Sequence, residues 1–195
     1  MEAVSTRTDA ILEAGERTFR KFGYQEATVE RIAEEAGLSR VTLYRRGISR
    51  ASILAALAER ATEQYRTALW PAVMSAGSGR ERLELALHKL CESAEQNLDL
   101  LVAMRAQMDR VFHDEGEEPL TRSVFTEPLE RLLRDGAVDG SLRAEIDPVE
   151  GATVLFNLVG WTYIHLRTGH RWRPERAAKA TLDLAVNGVV TRSGE

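Results

Sequence analysis

Apolar residues recur three and four positions apart through most of this chain, which is the spacing of one face of an α-helix. Glycines, prolines and capping residues interrupt the pattern. The interrupted pattern predicts helices over residues 8–22, 28–36, 40–45, 49–70, 80–97, 98–112, 119–136, 147–168 and 174–190. No segment alternates convincingly between apolar and polar positions, as a half-buried strand would. The sequence therefore predicts an all-α fold of about nine helices.

The five prolines help to place the ends of these helices. Pro119, Pro148 and Pro174 stand where a proline can open a helix, because the first helical residue needs no amide hydrogen. Pro71 is expected to end the fourth helix, since the residue before a proline disfavours the helical conformation. Pro128 lies inside its predicted helix, where the missing amide predicts a kink or a break.

Two short predicted helices are joined by a turn, and the residues at the turn and at the helix starts are types that favour helix ends and caps. Thr28 is a good N-cap for the first helix, because its hydroxyl can accept from the free amides of the first turn. Gly37 can take the left-handed conformation that ends a helix, and Leu38 can cover the corner. Ser39 is the next N-cap. The three- to four-residue turn between the caps is the spacing of a helix-turn-helix.

The second of these helices concentrates basic charge. Residues 37–50 contain four arginines and no acid, whereas the whole chain has 26 basic and 30 acidic residues. The side chains expected to face outward on this helix or just beyond it are Arg40, Val41, Thr42, Tyr44, Arg45, Arg46 and Arg50. Arginine can pair with guanine or phosphate, threonine and valine can touch a thymine methyl, and tyrosine can donate to a phosphate. The segment is a candidate major-groove surface; the alternative is a solvated arginine-rich helix of an ordinary bundle.

The same segment resembles a known family. The run FRKFGYQEATVERIAEEAGLSRVTLYRR, with the apolar pairs on either side of it, is similar to the DNA-binding domain of TetR-family transcriptional regulators over residues 8–54. The resemblance implies that Thr28, Arg40, Thr42 and Tyr44 contact phosphate or base, and that Arg50 stands where the family often has a phosphate-binding lysine. One position departs from the pattern, because Gly47 replaces a usual aromatic residue.

The resemblance also implies a function. Members of the family are ligand-responsive regulators, so the chain is expected to bind a palindromic DNA operator as a homodimer and to be released by a small apolar effector. Residues 1–50 would form the DNA-binding domain, and residues 51–195 would form a helical domain for effector binding and dimerisation. No cofactor is expected.

Composition and charge fit this interpretation. A length of 195 residues with 44% hydrophobic and 29% charged residues suits one or two globular domains. The single cysteine, Cys91, suits a reducing cytoplasm, and no leader or membrane segment is expected. Residues 1–50 carry nine basic and eight acidic residues, against 17 and 22 for the rest. Because salt screens charges over about 8 to 10 Å, the distant acids would affect a phosphate at residues 37–50 little.

The last two predicted helices are a candidate dimer interface. The helix over residues 147–168 is apolar most of the way round, so it needs partners on two sides. One partner is its own core, and the other could be the same helices of a second subunit. The predicted interface residues are Leu155, Leu158, Val159, Thr162, Leu166, Leu184, Ala185 and Gly188. The alternative is a helix buried at the centre of a monomer.

Large, soft and aromatic side chains on four of the predicted helices suggest an apolar ligand site. They are Trp70, Met104, Met108, Phe112, Phe125 and Trp161. Methionine and aromatic side chains suit an adaptable pocket, although the same residues are also ordinary core material.

An enzyme is the competing class. The four histidines lie in different segments, and the chain has no metal-binding, phosphate-binding or nucleophile motif. No catalytic residue and no metal ligand are therefore expected. A helical enzyme without a sequence signature and a helical interaction protein that does not bind DNA stay open as alternatives.

Overall fold

The computed structural model describes residues 2–104, 112 and 121–188, with side chains from residue 8 onward. These residues form nine α-helices and no β-strand, so the all-α prediction is confirmed. In chain order the helices are α1 Glu2–Glu26, α2 Val29–Glu35, α3 Arg40–Arg45, α4 Arg50–Met74, α5 Gly79–Gln96, α6 Leu98–Ala103, α7 Ser123–Val138, α8 Pro148–Thr168 and α9 Pro174–Asn187.

Helix α1 is interrupted at Gly23 but continues beyond it. Gly23 leaves helical geometry with φ 71° and ψ 165°, as expected of a glycine that ends a helix. A further turn continues to Glu26, and the helix begins at Glu2 rather than at residue 8. At the other end of the chain, α9 stops at Asn187 because Gly188 takes φ 69°, so it does not reach residue 190.

The predicted end of α4 at Pro71 and the predicted break at Pro128 are both wrong. Helix α4 continues through Pro71 to Met74, where Ala72 and Val73 are buried and the Arg82 guanidinium donates to both of their carbonyl oxygens. These contacts offset the hydrogen bond that the proline cannot make. Helix α7 likewise passes through Pro128 without a break, because the leucines that follow it are buried. The predicted start at Pro119 and the end of the predicted helix over residues 98–112 involve residues outside the described ranges.

The helices group into two compact units. The first unit contains residues 2–61 and 97–104 of the described chain. Within it α1 packs against α2 and α6, and α2 packs against α3. Its core is an apolar cluster of Ile11, Ala14, Phe19, Ala27, Ile32, Ala33, Leu43, Ile53, Leu54, Leu57, Leu100 and Met104. This core fixes the orientation of α3.

The second unit contains residues 62–96, 112 and 121–188 of the described chain. Helix α8 is central to it, because it packs against α5, α7 and α9. The buried stripe of α8 consists of Ala152, Phe156, Val159 and Tyr163, spaced three and four residues apart. No helix in the described part of the chain is both long and apolar enough to cross a membrane.

The structural division falls within α4, between residues 61 and 62, whereas the sequence placed the domain boundary at residue 50. The first turns of α4 supply Ile53, Leu54 and Leu57 to the core of the first unit. Its later turns supply Tyr65 and Leu69 to the second. A continuous apolar stripe does not reveal where along a long helix the packing partners change.

Candidate nucleic-acid interface and ligand site

The predicted helix-turn-helix forms as its caps require. The Thr28 hydroxyl accepts from the Arg31 amide at 3.3 Å, and the Ser39 hydroxyl accepts from the Thr42 amide at 3.2 Å. Between the two helices Gly37 has φ 65°, and the Leu38 amide donates to the Ala33 carbonyl at 2.8 Å. Because Gly37 adopts a positive φ without steric strain, the chain can reverse here and form the backbone hydrogen bond that closes the turn.

Helix α3 turns one residue inward and most of the others outward. Leu43 is completely buried in the core of the first unit, and its burial fixes the rotation of the helix. Arg40, Val41, Tyr44 and Arg45 are exposed. Thr42 is half-buried and its hydroxyl hydrogen-bonds to that of Ser39 at 2.9 Å, so part of its bonding capacity serves the turn.

The basic side chains near the helix-turn-helix divide into two groups. Three are committed within the chain: Arg17 pairs with Glu35 at 2.7 Å, Arg20 pairs with Asp99 at 2.9 Å, and Arg31 donates to the Glu26 carbonyl at 2.6 Å. Across the described residues, the exposed side chains of Arg40, Arg45 and Arg46 make no hydrogen bond or ion pair. These three guanidinium groups are free to bind an anion such as a DNA phosphate.

Arg50 has partners of a different kind from the phosphate that the sequence suggested. Its guanidinium lies 4.5 Å from the centre of the Tyr24 ring and donates to the carbonyls of Tyr24 and Gln25 at 3.1 and 2.9 Å. The side chain thus caps the end of α1 from the first residue of α4. Its contact with phosphate stays a prediction.

Gly47 stands at the position that departs from the family pattern, and it has φ 66°. The Gly47 amide donates to the Tyr44 carbonyl at 3.0 Å, and the Ile48 amide donates to the Leu43 carbonyl at 3.0 Å. Ile48 then packs against the core of the first unit. Gly47 therefore ends α3, and Ile48 covers the corner that follows.

Tyr44 and Glu30 form a contact that the sequence did not suggest. The Tyr44 hydroxyl donates to Glu30 Oε1 at 3.2 Å, and both residues are exposed. The pKa of Glu30 is lowered, first by a backbone hydrogen bond at the start of α2 and then by Tyr44. The carboxylate in turn raises the pKa of Tyr44. The sequence showed Glu30 only as an acid at the positive end of a helix dipole, because the partner lies in another helix.

The predicted ligand residues do not all come together. Phe112 lies 5.0 Å from Phe125 and 5.5 Å from Trp161, measured between ring centres. Trp70 is 56% exposed, and Met104 is buried in the core of the first unit. Met108 is outside the described ranges. Three of the six residues therefore share one cluster, which we call the ring cluster.

Tyr65 and Phe156 complete the ring cluster, although the sequence analysis did not include them. Phe156 stacks on Phe125 at 5.2 Å and lies 5.8 Å from Phe112, and Tyr65 lies 5.5 Å from Phe125. The Tyr65 hydroxyl donates to the Phe125 carbonyl at 2.8 Å, and burial raises the pKa of Tyr65. Their positions on apolar helix faces were visible in the sequence, but their meeting across helices was not.

A separate cavity of about 910 Å³ lies between α5 and α9. Its lining includes His88, Cys91, Tyr163, Lys179 and Leu182, and none of the residues predicted to bind a ligand. Burial raises the pKa of the Cys91 thiol to about 12, which makes this thiol a poor nucleophile.

The predicted dimer residues divide by burial. Val159 has no exposed surface and belongs to the buried stripe of α8, so it cannot contact a second chain in this conformation. Leu158 and Leu184 are exposed, as is Val154, which the predicted set omitted. The other positions are half-buried or, at the end of α9, exposed; they are Leu155, Thr162, Leu166, Ala185 and Gly188. Val154 and Leu158 on α8 and Leu184 on α9 therefore expose apolar surface, which we call the apolar face of α8 and α9, although α9 also exposes charged residues such as Lys179 and Asp183.

The described side chains contain no group of three or more histidine, cysteine, aspartate or glutamate residues that could hold a metal ion. The exposed chemistry of the first unit is instead the arginine surface of α3.

Comparison with known proteins identifies the segment that carries this surface. Residues 11–57 match the model of bacterial regulatory proteins of the tetR family. No curated protein matches the chain significantly.

Solved structures match almost the whole chain. The TetR-family regulator PfmR from Thermus thermophilus is 25% identical, with a TM-score of 0.71 over 94% of this chain and 97% of that one. FadR from Bacillus subtilis, solved with stearoyl-CoA, is 16% identical, with a TM-score of 0.75 over 94% and 100%. AibR, solved with isovaleryl coenzyme A and operator DNA, is 19% identical, with a TM-score of 0.69 over 91% and 97%. Residues 11–57 thus match the DNA-binding segment of the tetR family, and the chain as a whole has the fold of these regulators.

Proposed function

We propose that this chain is a ligand-responsive transcriptional repressor that binds a palindromic operator as a homodimer in the cytoplasm and has no catalytic activity of its own. The observation that carries the proposal is the exposed face of α3, where Arg40, Arg45 and Arg46 make no hydrogen bond or ion pair among the described residues. A capped helix with unpaired arginines suits entry into a major groove.

Residues 1–50 are proposed as the DNA-binding domain, with Thr28, Val41, Thr42, Tyr44 and the arginines of α3 at the interface. Residues 51–195 are proposed as the regulatory domain. Helix α4 supplies core residues to both structural units, so it is the continuous element through which a bound effector would act on DNA binding.

The partner proposed for the apolar face of α8 and α9 is a second copy of the chain. Leu158 on α8 and Leu184 on α9 expose apolar surface, and Leu158 lines one groove with half-buried Leu155 and Ala185. Half-buried Thr162 follows Leu158 one turn later on α8. Covering such a face removes apolar area from water, which stabilises association by about 25 cal/mol for each Å². Two copies related by a two-fold axis would read a palindrome with half-sites about 34 to 36 Å apart, or a multiple of that distance.

Selection from random-sequence duplexes tests DNA recognition directly. A dimeric regulator should enrich a pseudo-palindrome, and its retention on DNA should fall by orders of magnitude between about 50 and 200 mM salt. A helical enzyme or a protein-binding module would enrich no sequence. Footprinting that showed a single unpaired half-site at saturation would contradict binding by a homodimer.

The ring cluster is proposed as the effector site. Phe112 and Trp161 are half-buried, whereas Phe125 and Phe156 are buried, so an apolar ligand would enter from the side of Phe112 and Trp161. Acyl-CoA esters are suitable first probes, because FadR and AibR were solved with such molecules. Trp70 is included as a second fluorescent reporter near the end of α4. Met104 is not carried into this site, because it is buried in the core of the first unit.

Linkage provides the test of the switch. A ligand that releases the operator must bind the DNA complex more weakly than the free protein by the same factor, typically 5- to 150-fold. Ligand titrations followed by tryptophan fluorescence, with and without the selected duplex, measure that factor. A ligand that binds both forms equally would not be the inducer, even if it quenches Trp161.

A further inference from the structure

The hydroxyl proton of Tyr44 is already used within the chain. Its oxygen lies 3.2 Å from Glu30 Oε1, so a hydrogen bond joins α3 to the start of α2. An ionised carboxylate has no proton to donate, and the pKa of Glu30 is lowered by the backbone hydrogen bond and by Tyr44 itself. At neutral pH the tyrosine must therefore be the donor.

Because Tyr44 donates to Glu30, its hydroxyl can only accept a hydrogen bond from DNA. A phenol has one proton, so the rest of its oxygen can only accept a hydrogen bond. The second oxygen of Glu30 is also only an acceptor. Phosphate oxygens are acceptors as well, and they carry negative charge. A phosphate placed against these two oxygens would find no donor in the pair itself and would be repelled by the carboxylate.

Both groups are accessible on the surface that carries the free arginines. Tyr44 is 57% exposed and Glu30 is exposed beside it. Arg40 is close enough to act on both groups electrostatically. Its positive charge offsets the repulsion between the Glu30 carboxylate and the DNA backbone, so the pair can approach a groove.

We propose that Glu30 and Tyr44 together recognise an exocyclic amino group in the major groove, either N4 of cytosine or N6 of adenine. Amino groups are the hydrogen-bond donors that base pairs present there, and two adjacent acceptors suit such a donor. The inference rests on the proposed function, since it requires α3 to lie in the groove. It makes Glu30 and Tyr44 specificity-determining residues, with Tyr44 reading a base instead of holding a phosphate.

The experiment uses full-length protein and duplexes selected from a random-sequence library with the wild-type chain. Affinities are then measured for duplexes with each base pair changed in turn, over a range of salt concentrations. The variants are Tyr44→Phe, which removes the acceptor, and Glu30→Gln, which replaces one acceptor oxygen by an amide donor. Glu34→Gln is the control, because it removes the same charge from the same helix one turn farther on.

Tyr44→Phe should weaken discrimination at one base pair of each half-site by about tenfold and leave the salt slope unchanged. Glu30→Gln should shift the preference at the same base pair towards a base with an acceptor, such as the O4 of thymine. Glu34→Gln should change all affinities by a common factor. Base analogues without the amino group then identify the base that is read. If the base is adenine, replacing it by purine should abolish the preference; if it is cytosine, replacing it by 2-pyrimidinone should do so.

Uniform weakening of all duplexes by Tyr44→Phe would show that Tyr44 holds a phosphate and would overturn the inference. Unchanged base preference in both variants would also overturn it. Neither result would affect the proposed function, which fails only if the wild-type chain selects no sequence. Because both side chains are exposed, the variants should melt like the wild type, and melting curves check this.

Discussion

Gly79 and Gly136 lie so close that a β-carbon on Gly79 would stand 2.2 Å from the Gly136 Cα. The first turn of α5 therefore rests directly on the backbone of α7. The Gly79 amide also donates to Asp139 Oδ2 at 2.6 Å, which satisfies a free donor at the helix start. Backbone contact at this crossing leaves no room for any side chain.

Gly79→Ala should consequently destabilise the second unit by about 1 to 3 kcal/mol or more, because overpacking against backbone cannot be relieved by a rotamer change. Gly160→Ala is the matched control, since a β-carbon there would meet only Leu90 Cδ1, at 4.0 Å. That substitution should be neutral or stabilising by up to about 1 kcal/mol. Urea unfolding measures both, and equal effects would refute the close approach.

Arg50→Ala should act mainly on folding stability. It removes two hydrogen bonds to the carbonyls of Tyr24 and Gln25 and a contact with the Tyr24 ring, together worth about 1 to 2 kcal/mol. Thermal unfolding gives the loss, and Arg46→Ala serves as a control without such partners. If Arg50→Ala left the melting temperature unchanged but lowered the salt slope of DNA binding, phosphate contact would be its main role.

Arg45→Ala should reduce affinity for the selected operator by about 1 to 3 kcal/mol and relax preference at one base pair, as expected for loss of a base contact. Its side chain is exposed at the end of α3. Arg17→Ala is the control, because Arg17 is paired with Glu35 at 2.7 Å. Competition binding with operator and random duplexes separates the effects. Equal losses on both DNAs would assign Arg45 to phosphate.

The Glu95 and Arg167 pair should make stability depend on pH in the acid range. Arg167 donates twice to Glu95 at 2.7 Å and Tyr163 donates at 2.8 Å, and the guanidinium is the main cause of the lowered pKa of Glu95. A lowered carboxyl pKa stabilises the fold above the ordinary value of 4.5, and this contribution is lost as pH falls through the folded-state pKa.

Glu95→Gln should therefore cost about 1 to 2 kcal/mol at pH 7 and progressively less below about pH 4.5. Glu92→Gln, at an exposed pair with Lys89, should cost less than about 1 kcal/mol at pH 7. Urea unfolding across this pH range measures both differences. A pH-independent cost for Glu95→Gln would mean that the charge of Glu95 is not what matters.

Leu158→Glu should weaken self-association by tenfold or more, because it places a charge on the proposed contact face of α8, where Leu158 is 47% exposed. Val138→Glu is the matched control, since Val138 is 89% exposed at the end of α7. Sedimentation equilibrium gives the dissociation constants. Equal effects of the two substitutions, or a monomeric wild type, would place the interface elsewhere.

The sequence by itself determined the helices and the helix-turn-helix, because their signals are local. A hydroxyl caps an amide only three residues away, as Thr28 and Ser39 do, and Gly37 provides positive φ within its own turn. The burial of Leu43 also followed from periodicity within α3. These features depend on neighbours along the chain, and neighbours can be read from the sequence.

Only the tertiary structure decided which side chains meet across elements. Arg50 finds carbonyls 25 and 26 residues away, and Glu95 finds Arg167 at a separation of 72. Tyr65 and Phe156 join the ring cluster from different helices, and Val159 turns to the core instead of a partner chain. Helical periodicity shows that a face is apolar but not what covers it. That outcome depends on how several helices pack at once, and the same packing keeps α4 helical through Pro71.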